Sequence, residues 1–94
     1  MRLDKFLKVS RLIKRRTLAK EVCEQGRVTV NGSVAKASTS VAEGDDVSIR
    51  FGHKRVTVRI RNLKETSRKD EAAELYTLLK EEQVGADEKN YQNR

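Results

Sequence analysis

Lys14-Arg15-Arg16-Thr17-Leu18-Ala19-Lys20-Glu21-Val22-Cys23-Glu24-Gln25-Gly26 runs directly into Arg27-Val28-Thr29-Val30-Asn31-Gly32, and the periodicity changes at the junction. Up to Gln25 the apolar residues Leu18, Ala19, Val22 and Cys23 fall on one side of a helix. Lys20, Glu21 and Glu24 fall on the other, as a 3.6-residue period requires. From Arg27 the period is two, with Val28 and Val30 alternating with Arg27 and Thr29. Asn31-Gly32 then gives the strongest short signal for a hairpin with a type I′ turn. A helix feeding a hairpin fixes the plan as α+β.

Thr17 and Gly26 mark the helix as N-cap and C′ residue, so it is expected from about Thr17 to Gln25. Its entrance breaks a rule. A helix N-terminus carries partial positive charge and favours acids in its first turn. Here Lys14, Arg15 and Arg16 precede the cap, Lys20 sits in the first turn, and no acid comes before Glu21. A bound phosphate resolves the conflict, because free N–H groups, the dipole and arginine forks favour it together. The competing reading is a solvated charge run.

Working outward, residues 2 to about 10 read as a first helix, with Leu3, Phe6 and Leu7 on one face and Arg2, Lys5 and Lys8 on the other. Arg2, Lys8 and Arg11 extend the cationic surface begun by the charge run. Beyond the hairpin, Val34 and Lys36 continue a return strand and residues 41–45 turn. Val47, Ile49 and Phe51 then alternate, and Gly52-His53 bends the chain into a further strand over 56–60. The expected fold is two N-terminal helices, a small antiparallel sheet and a C-terminal helix. Residues 1–64 form the basic domain. Residues 65–84 read as an amphipathic helix, with Ser67 to Asp70 as its cap and Ala72, Leu75, Tyr76 and Leu79 at helical spacing. Residues 85–94 lack periodicity and read as a disordered tail.

The chain's 94 residues carry a formal charge of +7, unevenly spread. Residues 1–64 hold 16 Lys and Arg against 6 Asp and Glu, whereas residues 65–94 hold 5 against 8. The first block therefore faces a polyanion. No apolar run is long enough to span a bilayer, and the N-terminus is not a secretory signal, so no membrane association is expected. The single cysteine, Cys23, fits a reducing interior and a cytoplasmic location. With one cysteine and one histidine, His53, no metal-ligand spacing exists and no nucleophile has an activating base. Asp4 at a helix start serves the dipole or pairs with a neighbouring arginine rather than acting as a base. No enzyme, cofactor or metal is expected.

Arg2-Leu3-Asp4-Lys5-Phe6-Leu7, Arg15-Arg16-Thr17-Leu18-Ala19, Gly26-Arg27-Val28, Val30-Asn31-Gly32, Lys36 and Gly44-Asp45 together resemble the αL RNA-binding domain. That domain type is named after small-subunit ribosomal protein four (S-four), and the resemblance covers about residues 1–51. It implies two helices and a hairpin that present one basic surface to structured RNA, with Arg2, Lys8, Arg11, Arg15, Arg16 and Lys36 at the matching positions. Lys14 joins them from the charge run. The whole chain, including the run from Glu74 to Glu82, is similar to the RqcP family of bacterial ribosome-associated quality control. This resemblance implies binding to obstructed 50S ribosomal subunits that carry peptidyl-tRNA, with contacts to 23S rRNA and the P-site tRNA. It also implies support of C-terminal alanine tailing by RqcH. Off the ribosome a monomer is expected. The alternative is an RNA-targeting module for a separate enzyme of the pseudouridine-synthase type. In either case Arg15 and Arg16 are expected to be surface cations whose removal leaves stability within ~0.5 kcal/mol.

Overall fold

Helix α1, Leu3–Val9, is too short to hold its shape alone in water. Tertiary packing holds it. Leu3, Phe6 and Leu7 are fully buried, and each such side chain contributes roughly 1.5–3 kcal/mol by leaving water. Helix α2, Arg16–Glu24, packs against α1 through Ala19 and Cys23. Val22 is half-buried and Leu18 stays 47% exposed, so the buried stripe is narrower than the apolar pattern suggests. These features belong to a computed structural model that describes residues 1–64 and 69–83.

Five antiparallel strands form one sheet beneath the helices, in the order β2-β1-β3-β4-β5. They are β1 Val28–Val30, β2 Ser33–Val34, β3 Asp46–Phe51, β4 Lys54–Ile60 and β5 Tyr76–Gln83. The β1–β2 hairpin closes on Asn31 (φ 52°) and Gly32 (φ 87°), the two positive values a type I′ turn demands. Lys36 lies beyond the short return strand rather than within it. Val28, Ile49 and Val56 stand in one cross-strand row, and Val30, Val47 and Val58 in the next. Because side chains alternate across a strand, these rows face the helices and close the core with Ile13, Val41, Ile60 and Leu75. The rows between them face solvent.

The C-terminal segment is not the expected long helix. Residues Lys69–Ala72 make one helical turn, α3, and Ala73–Leu75 tighten into a 3₁₀ turn. The chain then extends as β5 along β4, from Ile60↔Tyr76 to Lys54↔Gln83. The helical stripe holds through Ala72 and Leu75, which are buried, and fails at Leu79, which is 42% exposed. Two things favour the strand. It satisfies the row of backbone groups that β4 would otherwise leave open. It also sets acids against the cations of β4, with Lys54 Nζ 3.0 Å from Glu81 Oε2 and Arg55 3.9 Å from Glu82. A bulge absorbs Leu79, because Thr57 pairs with Lys80 and Val58 with Leu78. The sheet thus runs across the boundary expected at residue 64. Residues 65–68, and the tail expected over 85–94, lie outside the described residues.

This correction carries a testable consequence. Deleting residues 76–94 should expose the β4 edge and remove about seven cross-strand pairs, each worth roughly 0.2–1 kcal/mol. A loss of about 2–4 kcal/mol is expected, or about 8–30 °C in melting temperature for a domain of this size. A truncated chain that melts like the full chain would show that β5 adds nothing to the sheet.

Candidate nucleic-acid interface

The cap of helix α2 lies two residues earlier than the Thr17 expected for it. Arg15 is the N-cap, in extended conformation, and its carbonyl already accepts the Ala19 N–H at 3.0 Å. No side chain caps the entrance, and the first turn holds no acid. The N-terminal N–H groups of a nine-residue helix therefore open beside Lys14, Arg15 and Arg16, all exposed. An anion is favoured there by the dipole and by the cations alike.

Arg16 has a second task that the charge pattern hides. Asp4, in the first turn of α1, is 3% exposed and is approached by two guanidinium groups. Arg16 Nε lies 3.4 Å from Asp4 Oδ2, and Arg2 Nε 3.3 Å from Oδ1. Burial pushes the Asp4 carboxyl up. The Arg16 hydrogen bond and the charges of Arg16 and Arg2 outweigh that effect and hold it below the usual carboxylate range. Both arginines remain about half exposed, so their outer N–H groups stay open to a phosphate while Asp4 fixes the planes of the forks. Arg16 is therefore structural as well as a surface cation, against the expectation that its removal is silent.

The remaining cations fall into three places. Arg2 and Lys36 line one cleft of about 430 Å³ with Lys20, Cys23, Glu24 and Ser38. Lys20 stands one turn after Arg16 on α2, so it brings a further cation to this cleft. Lys14 faces a different groove, lined by Leu18, Phe51, Arg27 and Arg50. Lys8, half-buried in the last turn of α1, lies about 9 Å along the helix axis from Arg2. Arg11 follows that helix in the left-handed region, at φ 62°. Glycine is the residue that ordinarily takes such a position, so an arginine there sets its side chain against local backbone preference.

Burial, then the charges of Asp4 and Glu24, push the Cys23 thiol up to about 11, so it stays protonated at neutral pH. Among the described residues no group of His, Cys, Asp and Glu could hold a metal ion, and no helix is long and apolar enough to cross a membrane.

An S4 domain model matches residues 1–47, which contain both helices, the β1–β2 hairpin and the Arg2–Asp4–Arg16 cluster. A Halalkalibacterium halodurans protein named RQC P-site tRNA stabilizing factor is 72% identical over 88 residues, covering 94% of this chain and 100% of the relative. The Bacillus subtilis protein of the same name is 65% identical over 85 residues, covering 90% and 99%. Among solved structures, trimeric heat shock protein 15 from Vibrio cholerae superposes with a TM-score of 0.79 at 39% identity, covering 84% of this chain and 81% of that one. Sequence identity along the chain, and a matching helix-and-sheet fold, lead to one conclusion: the chain belongs to the S4-domain family of RQC P-site tRNA stabilizing factors.

Proposed function

We propose that this protein stabilises peptidyl-tRNA in the P site of obstructed 50S subunits during ribosome-associated quality control. It acts as an RNA-binding factor in the cytoplasm and catalyses no reaction itself. Its partners on that particle are 23S rRNA and the tRNA, and its presence supports RqcH-dependent alanine tailing of the stalled chain. The observation that carries this reading is the Arg2–Asp4–Arg16 cluster beside an uncapped, cationic helix entrance, in a chain whose relatives bear that name. Those names speak for a stabilising factor rather than for the targeting module of a pseudouridine synthase. Structured RNA suits the surface, because its cations are many and base-stacking aromatics are nearly absent from it.

Sedimentation with large subunits that carry peptidyl-tRNA, compared with vacant subunits, tests this function. The full chain should travel with the loaded particles. Arg11→Gly sharpens the test, because glycine adopts φ 62° freely. Folding stability should hold within about 1 kcal/mol or rise. Binding should weaken about tenfold, the size of one charge-assisted arginine contact. If the wild-type chain ignores peptidyl-tRNA and rRNA alike, the function is wrong. If Arg11→Gly sediments normally, Arg11 is not part of the interface.

A further inference from the structure

The sheet face turned away from the helices carries an arrangement that the helix surface does not explain. Arg50 pairs directly with Arg55 across β3 and β4, and the Arg50 N–H donates to the Arg27 carbonyl at 2.9 Å. Three arginines therefore stand in one row, Arg55 on β4, Arg50 on β3 and Arg27 immediately before β1, at roughly 4.8 Å per step. Like charges set opposite each other destabilise a sheet. Arg50 Nε donates to the Gly52 carbonyl at 3.3 Å, and Glu82 stands 3.9 Å from Arg55 while also serving Lys80 at 3.6 Å. The next solvent-facing row is made of hydroxyls, Thr29, Ser48 and Thr57. Ser48 Oγ and Thr57 Oγ1 lie 2.8 Å apart, so one hydroxyl donates to the other and a proton of the pair is left to donate outward. Arginines and hydroxyls together line a concavity of about 480 Å³ with Gln25, Gly26 and Gly52.

We propose that this open-face row, Arg27, Arg50 and Arg55 over Ser48 and Thr29, is a second phosphate-binding site that takes the backbone of an RNA strand. The guanidinium forks supply donors alone and the hydroxyls can donate as well, which suits phosphate oxygens. The row spans about 10 Å, enough to engage more than a single phosphate. An acidic protein surface is the competing occupant. RNA is favoured because this chain's helix face is itself read as an RNA surface, and to that extent the inference rests on the proposed function. The row shares no residue with the Arg2–Asp4–Arg16 cluster, although Arg27 and Arg50 also border the groove that Lys14 faces.

The test measures binding of the full chain to purified bulk tRNA across 50–200 mM KCl, together with thermal unfolding. Arg27→Gln with Arg55→Gln should leave the melting temperature nearly unchanged, because it relieves the like-charge row and gives up the Arg55–Glu82 pair together. It should lower affinity about tenfold near 100 mM KCl and make the log–log salt slope shallower by about 0.7–1.8, the share of one to two phosphates. Should that pair lower the melting temperature, Arg27→Lys with Arg55→Lys decides, since it keeps the charge and removes the forks. A three- to tenfold loss with the slope unchanged then supports the site, and unchanged affinity overturns it. Wild-type protein that binds tRNA at no salt concentration sinks the proposed function and this inference with it. Wild-type binding that Arg16→Ala weakens and the glutamine pair leaves untouched overturns the inference alone, and leaves the row to an acidic protein.

Discussion

Replacing Arg2 and Arg16 together by Ala should destabilise the fold by about 3–5 kcal/mol, the cost of leaving a buried carboxylate without a cation. Asp4 is 3% exposed, and these two arginines are its ion-pair partners. Either single replacement should cost less, about 1–2 kcal/mol, because the other guanidinium stays and both are half exposed to solvent. The pH dependence changes sign between the two proteins. In the wild type the Asp4 carboxyl is held low, so its contribution is present above the unfolded value near 3.9 and is lost as pH falls through the lower folded value. In the double variant burial is opposed only by the Lys5 backbone N–H and pushes the carboxyl up. The penalty then sets in as pH rises past the unfolded value and is complete above the raised folded one, so acidification relieves it. Adding Asp4→Asn to the double variant should recover much of the loss at neutral pH. Chemical denaturation from pH 3 to 8 reads all of these. A double variant as stable as wild type at pH 7 would mean that the arginines merely hover over Asp4.

Raising salt from 50 to 200 mM should weaken binding to large subunits about 60- to 1,000-fold, the consequence of a log–log slope of roughly −3 to −5 if about five phosphates are neutralised. The excess of 16 Lys and Arg over 6 Asp and Glu in residues 1–64 provides the cations. An aromatic content of 4% leaves little base stacking to resist the salt. Equilibrium binding at five or more salt concentrations gives the slope directly. A response shallower than about −1 would mean that apolar or base contacts hold the RNA, and the basic surface would lose its role.

The two helices and the Asn31-Gly32 hairpin were legible in the sequence because local physics sets them. Leu3, Phe6 and Leu7 recur at helical spacing, and two residues that tolerate positive φ stand between alternating valines. The cationic surface was legible too, since charge is a property of composition. Three matters needed tertiary structure. Residues 76–83 carry apolar spacing that suits a helix, and only the open edge of β4 and its cations make them a strand. Arg16 and Asp4 are 12 residues apart, so neither shows its partner until α1 and α2 pack and bury the carboxylate. The row of Arg27, Arg50 and Arg55 depends on strand register, which a one-residue slip would move to the opposite face. Periodicity and charge act along the chain and can be read from it. Edge pairing, ion pairing across helices and register act between distant segments, and folding alone decides them.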